Sequence, residues 1–312
     1  MKPLPHRVRA DLFLQLSRME RAGIGYDRAA AIMALQPPAA TRVKAFQALA
    51  ARGIDAAKAG EQSGLFTKLE SRLVRAALHA GSPAPTYERL AEYHTQRAMQ
   101  WTTIKSRLAL PAFVLGIALF VQPLPALITG AIGLAGYAWQ VIAPALVVVA
   151  LAVALRWLAM HGGRRVPIYG PIFVRTNFRD FFESLALVLE AGLPMLEALP
   201  AAIDTATDDE IRRELGRVRR GVENRETFAG ALAGVSYLQG SPVLALAHTG
   251  EQSGTLPEML ARYAAMETQA IMNFYEQVAA WLPRVVYLLV SLKIAAGILS
   301  SGGVAPRVPT DL

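Results

Sequence analysis

The chain has 312 residues, 53% of them hydrophobic and 18% charged, with a formal net charge of +8 and no cysteine. Without cysteine there are no disulfides, thiolate metal sites or cysteine nucleophiles. The mean hydropathy of +0.31 exceeds that of an ordinary soluble domain, and the length admits two domains.

The start, Met1-Lys2-Pro3-Leu4-Pro5-His6-Arg7, leads into mixed helical sequence and not into a short apolar core with a cleavage site. No secretory signal is expected, and the N-terminus is expected in the cytoplasm. From residue 8, Leu12, Leu16, Met19 and Ile24 mark an apolar stripe at helical spacing, with Gly23 and Gly25 as stops. Pro37-Pro38, Gly53, Gly64 and Gly81-Ser82-Pro83 punctuate further short helices, and a long helix is expected from about Thr86. Nothing alternates like a strand, so residues 1–105 read as a first all-α domain.

Between Leu108 and Leu155 there are 48 residues without Asp, Glu, Lys or Arg, enough for two membrane crossings of about 20 residues each. The expectation is a transmembrane hairpin over 106–160, with spans at about 107–122 and 140–160. Residues 123–139 would connect them on the outer face, anchored by Tyr137 and Trp139. The alternative breaks the run nearer Gly130 to Gly136. Lys105 and Arg107 precede the hairpin, and Arg156, Arg164 and Arg165 follow it, which puts both its ends in the cytoplasm.

A second helical domain is expected over 161–278. Its core would use Phe178, Phe182, Leu185, Leu189, Leu193, Leu199, Leu215, Leu246 and Leu260. Gly192 ends a helix and Pro194 opens the next, and Thr207-Asp208-Asp209-Glu210 reads as a cap with a carboxylate three residues after the threonine. Val285 to Ala305 holds one charge, Lys293, and marks a third span at 279–304. A tail of 305–312 would then lie outside. Lys293 and Arg284 are the intramembrane charges; Arg284 is shallow enough to snorkel, whereas Lys293 is deep and a functional candidate by default.

The two helical domains repeat one another. Phe13, Leu16, Ala22-Gly23 and Ala29 align with Phe182, Leu185, Ala191-Gly192 and Ala198; Gly53 with Gly221; His79 and Gly81 with His248 and Gly250. Leu90-Ala91 and Tyr93 then align with Leu260-Ala261 and Tyr263, and Pro111 with Pro283 at the head of the apolar runs, at offsets of 168–172. The pentapeptide Gly60-Glu61-Gln62-Ser63-Gly64 recurs as Gly250-Glu251-Gln252-Ser253-Gly254, but at an offset of 190 that breaks every other match. On the repeat alignment the counterpart of the second pentapeptide is Gly81-Ser82-Pro83-Ala84-Pro85, without the acid.

No catalytic constellation is found. None of the six lysines follows a glycine, so no P-loop is present. The five histidines are far apart in the chain, and Ser253 stands fourth in its pentapeptide where a nucleophile elbow needs it central. The basic residues intermix with acids or flank the apolar runs, which argues against nucleic acid and for leaflet contact. Neither cofactor nor metal is expected. Glu251 is read either as a partner or cation contact or as the carboxylate of a plain helix-helix turn.

Three segments then carry a resemblance: Pro167-Ile168-Tyr169-Gly170-Pro171, the run Phe182 to Leu199, and Gly250-Glu251-Gln252-Ser253-Gly254-Thr255-Leu256. Weaker forms are Arg21-Ala22-Gly23-Ile24 and Glu88-Arg89-Leu90-Ala91-Glu92-Tyr93. Together they resemble the type II secretion F-protein and type IV pilus PilC family, in the order domain, two spans, domain, span. The resemblance implies a non-enzymatic, multi-pass inner-membrane platform protein of bacteria. It would couple a cytoplasmic secretion or pilus ATPase to assembly of pilin or pseudopilin filaments, beside other inner-membrane assembly proteins, as a homo-oligomer. Partner-contact candidates are Glu251, Ser253, Glu190 and Glu197. Filament subunits of the resembled systems carry a glutamate near the start of their membrane helix, which implies a transient pair with Lys293. The chain departs from the family in a short first hairpin, in a first copy without the pentapeptide acid, and in Leu282 before Pro283 where glutamate is common. The alternative is a transporter component with a solute path between the spans.

Overall fold

The computed structural model describes the backbone of residues 3–33, 39–121, 123–130, 132–143, 146, 150, 153 and 170–300. The side chains at 27, 30, 108, 110–112, 115, 118, 282, 283 and 285–300 lie outside that description. Every regular element among the described residues is helical, so the all-α expectation stands.

The first copy runs through α1 (His6–Arg21), α2 (Tyr26–Ile32), α3 (Ala39–Ala50), α4 (Ala56–Gln62) and α5 (Lys68–His79) into α6 (Pro83–Val121). A short α7 (Leu124–Ile128) follows. The second copy runs through α8 (Gly170–Glu190), α9 (Met195–Ile203), α10 (Asp209–Glu223), α11 (Phe228–Ala233) and α12 (Val243–Ser253) into α13 (Leu256–Ser300). Residues 1–101 and 163–271 form one compact unit, and residues 102–162 and 272–312 form another.

Local chemistry sets the helix ends. Gly23 and Gly192 adopt φ of 68° and 85°, the left-handed turn that stops α1 and α8 at the place the sequence marks. Thr67 and Glu70 form a reciprocal capping box at the start of α5. The cap of α10 is one residue later than expected: Asp208 accepts from the N–H groups of Glu210 and Ile211 at 2.9 and 3.0 Å. Thr207 instead turns its hydroxyl to Asn177 Oδ1 at 3.0 Å, because Asn177 on α8 also takes the Thr207 and Asp208 N–H groups.

The two copies share one hydrophobic core. Of the expected core residues, Phe178, Phe182, Leu185, Leu199, Leu215 and Leu260 are buried, while Leu189, Leu193 and Leu246 are partly buried against it. Phe13 and Leu16 are the buried equivalents of Phe182 and Leu185.

The repeat offset drifts further than sequence identity suggests. It is 169 at Gly23 and Gly192, but 173 at Gly81 and Gly254, which both have φ of 73° and close α5 and α12. Most of the difference lies in the third helix, 12 residues in α3 and 15 in α10. From Pro83 to Glu92 the succession of buried, half-buried and exposed positions repeats from Leu256 to Ala265, which confirms 173. The apparent matches of Gly53 with Gly221 and of His79 and Gly81 with His248 and Gly250 are therefore displaced by about a turn. By conformation the partner of Gly53 (φ 78°) is Arg225 (φ 68°).

The recurrent pentapeptide is one local device used at two unequal places. At the end of α4, a Cβ on Gly60 would meet the Phe66 ring at 2.0 Å; at the end of α12, a Cβ on Gly250 would meet Leu256 Cα at 2.8 Å. In both, the fifth residue is a left-handed glycine that folds the sixth-following residue back onto the first.

Among the described residues, no helix is long and apolar enough to cross a membrane. Most of the expected span at 140–160, the side chain of Lys293 and the tail at 305–312 lie outside the described residues. Where the first expected span should give way to a connection over 123–139, α6 ends at Val121. Helical backbone resumes at 134, after a left-handed Gly130. Tyr137 hydrogen-bonds the Phe120 carbonyl at 3.0 Å.

Candidate functional site

A buried polar cluster lies inside the first copy. Glu70 on α5, 1% exposed, accepts through Oε1 from Arg9 Nη1 at 2.8 Å and His94 Nε2 at 2.7 Å. Its Oε2 accepts from the Thr67 N–H at 2.6 Å. His94 in turn meets His6 through the two Nδ1 atoms, 2.9 Å apart. The arrangement fits a neutral relay: His6 Nδ1–H donates to His94 Nδ1, and His94 Nε2–H donates to Glu70.

Electrostatics agree with that relay. Burial alone would raise the Glu70 pKa, but the His94 hydrogen bond and the Arg9 charge outweigh it and hold the carboxyl at about 2. Burial, with Arg9 and His94 nearby, lowers His6 to about 3. Burial also lowers His94, against the pull of Glu70. The cluster is thus one buried Arg9–Glu70 ion pair extended by two uncharged imidazoles.

A second cluster joins the copies. Arg97 on α6, 8% exposed, reaches Asp180 at 2.5 Å and Glu183 at 2.6 Å on α8. Arg179 also reaches Asp180 at 2.7 Å. Burial pushes the Glu183 carboxyl up, against the Arg97 and Arg179 charges. Arg89 adds a hydrogen bond to the Glu190 carbonyl at 2.9 Å. Two guanidinium groups and two carboxylates therefore tie the last helix of the first copy to the first helix of the second.

Glu251 is engaged within the fold. Its Oε1 accepts from the Phe228 N–H at 2.6 Å and its Oε2 from the Ala229 N–H at 2.9 Å, while Thr227 takes the Gly230 N–H at 3.1 Å. The first three orphan donors of α11 are thereby satisfied. In the first copy the register places Leu78 opposite Glu251, and the equivalent helix α4 is capped by its own Asp55 at 3.3 Å.

The remaining sequence candidates are scattered. Ser253 is exposed and bonds the Thr249 carbonyl at 2.8 Å and the Thr255 hydroxyl at 2.6 Å. Glu190 and Glu197 are both exposed, Glu197 in the first turn of α9. Arg284 is exposed and lies over the Trp281 ring at 5.3 Å. Lys293 has its backbone on α13. His79 and His248 each bond within their own helical turn, to the Arg75 carbonyl at 2.8 Å and to Gln252 at 3.0 Å. Among the described residues no group of three metal-ligating side chains converges.

Sequence reasoning passed over Glu70, Arg9, His94 and Arg97. It set the histidines aside as far apart, yet His6 and His94 touch across 88 positions. At offsets of 169 and 173, His6 and His94 correspond to Arg175 and Glu267, which form an ion pair at 3.3 Å in the second copy. The correspondence emerges only in the register that the structure gives.

The comparisons follow the same two-part plan. A family model described as Type II secretion system (T2SS), protein F matches residues 12–129 and 181–302. The chain is 28% identical over 272 residues to Type II secretion system protein F of Pseudomonas aeruginosa, covering 75% of this chain and 67% of that protein. It is 25% identical over 335 residues to the Protein transport protein HofC homolog of Escherichia coli K12, covering 96% and 82%. Against Type IV pilus assembly protein PilC of Thermus thermophilus it is 25% identical over 243 residues, covering 68% and 58%.

Proposed function

The chain belongs to the type II secretion system protein F family, and on that premise we propose that it is a non-enzymatic platform in a bacterial inner membrane. It would couple a cytoplasmic ATPase to assembly of a pilin or pseudopilin filament. The observation that carries this reading is the double family match, 12–129 and 181–302. Each matched segment opens in a helical bundle and runs into an apolar stretch, 108–155 or 285–305. Relatives named for type II secretion and for type IV pili both align, so the shared role is filament assembly rather than one cargo.

In this reading both helical copies face the cytoplasm, three spans anchor them, and the C-terminus lies outside. Lys293 is deep in the third span and would pair transiently with a carboxylate of an incoming filament subunit. The test of the role is mild detergent extraction of the full chain with identification of what co-purifies. A P-loop ATPase and small subunits with an apolar N-terminal helix are expected. Recovery of solute-binding or transporter subunits instead would overturn the platform in favour of a solute path. Single cysteines at Ser71, Thr207 and Thr310 report topology with an impermeant thiol reagent on intact cells; labelling at Thr207 but not Thr310 contradicts it. Lys293→Met deletes the charge at similar length, and wild-type filament assembly at normal abundance would remove the proposed pair.

A further inference from the structure

The third helix of the second copy is charged in a way that its counterpart is not. α10 (DEIRRELGRVRRGVE) packs five arginines and four acids into 15 residues, whereas α3 (AATRVKAFQALA) has one arginine and one lysine in 12. At about 100° per residue, Ile211, Leu215 and Val218 point inward, and all three are buried. Arg213, Arg217 and Arg220 fall within about 60° of one another on the opposite side, and all three are exposed.

The neighbouring arginines have local work. Arg212 pairs with Asp209 and donates to the Ala206 carbonyl, both at 2.7 Å; Arg219 pairs with Glu223 at 2.7 Å. The outward three are poorly occupied. Among the described residues Arg213 reaches only the Asp209 carbonyl, at 3.2 Å. Arg217 reaches Glu214 at 3.2 Å with its side chain 66% exposed. Arg220 has no acid within ion-pair distance among the described residues. Like charges at i, i+4 and i, i+3 repel, and the helix dipole favours cations only in the last turn. The last-turn dipole therefore accounts for Arg220 and the half-occupied Glu214 pair for part of Arg217, whereas neither accounts for Arg213.

A second observation points the same way. Arg225, just beyond the C-cap of α10, has φ of 68°, and is the non-glycine residue with positive φ among the described residues. The first copy places Gly53 there, with φ of 78°. Glycine takes this conformation without steric cost, so an arginine held in it gives up stability. The side chain is exposed, and it follows Arg220 by five residues at the C-terminal end of α10.

We propose that Arg213, Arg217, Arg220 and Arg225 form a docking strip for an acidic helix of a partner protein, one presenting carboxylates at i, i+4 and i+7. Seven residues of helix span about 10.5 Å, so a helix laid alongside α10 brings its carboxylates into register with the guanidinium forks, which favour paired oxygens. The flanks argue against a uniformly negative surface such as an anionic bilayer. Asp209, 85% exposed, and Glu223, 41% exposed, border the strip and would be repelled by it, whereas a discrete row of carboxylates avoids them. The inference stands apart from the platform reading, since it names a chemistry and not an apparatus.

The test uses the full chain in phosphatidylcholine nanodiscs and two fluorescent Ala/Gln-based helical peptides. One carries glutamates at i, i+4, i+7 and i+11; the other has the same composition with glutamates spread around the helix. The striped peptide is expected to bind about tenfold tighter, the scale of several exposed charge pairs. The triple variant Arg213→Gln, Arg217→Gln, Arg220→Gln should lose that preference. A control, Arg52→Gln, Lys58→Gln, Lys68→Gln, removes as much charge from exposed positions of the first copy and should keep it. Arg225→Gly should raise Tm while weakening the striped peptide at least twofold, a combination that loss of fold cannot produce. Equal binding of the two peptides, equal loss in the control, or undiminished binding by Arg225→Gly overturns the strip. So does binding to phosphatidylserine vesicles without any peptide preference, which would identify a lipid contact.

Discussion

Glu70→Gln removes one charge and almost no volume from the centre of the first copy. Three donors converge on that carboxylate: Arg9 at 2.8 Å, His94 at 2.7 Å and the Thr67 N–H at 2.6 Å. A carboxamide can accept through its one oxygen, and its NH2 group then faces a donor. Arg9, with a side chain 9% exposed and an Nε already without a hydrogen-bond partner among the described residues, is left without a counter-charge. Removing one partner of a buried pair costs about 3–5 kcal/mol. In a domain of about 150–250 residues that lowers Tm by about 6–20 °C. Thermal unfolding of the full chain in mild detergent measures the drop, and hydrogen exchange should show it in residues 6–21 and 68–79. The double variant Arg9→Met, Glu70→Leu should recover part of the loss, because apolar replacements of a buried pair are close to neutral. A Glu70→Gln protein within about 1 kcal/mol of wild type, less than a surface network would lose, refutes the reasoning.

Acid should act on the same cluster. His6 and His94 are held below 6.5 and Glu70 below 4.5 in the folded chain, so the unfolded chain binds more protons. Stability is then full above pH 6.5, falls as pH drops through 6.5 on account of the histidines, and falls again below 4.5 on account of Glu70. A Tm unchanged between pH 7 and pH 5 would contradict this. Glu251→Gln should cost about 1–2 kcal/mol through the lost α11 cap and lower amide protection at 228 and 229; unchanged protection there would show the cap to be dispensable. Gly250→Ala forces a Cβ to 2.8 Å from Leu256 Cα and should cost about 1–3 kcal/mol as overpacking. The same change at Gly216, where a Cβ would meet nothing within 4 Å, should be neutral or stabilising in urea titration.

Much of the fold was legible because helix stops and apolar stripes are local signals. Gly23 and Gly192 stop helices as read, and Phe182, Leu185, Leu199 and Leu260 are buried as their spacing implies. Register was less legible, because chance identities fell on the wrong turn: His79 with His248 and Gly81 with Gly250 align letters, whereas Gly81 with Gly254 aligns conformation and burial. The polar clusters were least legible. His6 and His94 are 88 positions apart, Arg97 and Asp180 are 83 apart, and periodicity says which face a residue occupies but not what it meets there.

Correct register also explains why the copies differ in kind. The contact between first and last helices is kept in both, as His6 with His94 and as Arg175 with Glu267, although its chemistry is exchanged. Three residues along, Arg9 of the first copy corresponds to Phe178 of the second, which stacks on Phe182 with centroids 6.3 Å apart. The first copy thus buries the arginine of a charge pair where the second buries the Phe178 ring, and holds two neutral imidazoles where the second has the Arg175–Glu267 ion pair. Desolvated charge depends on protonation state and complete pairing, whereas aromatic packing depends on shape and area. The acid sensitivity therefore belongs to the first copy, and the second, whose aromatic core does not titrate there, is free to carry the exposed arginine strip and the strained Arg225.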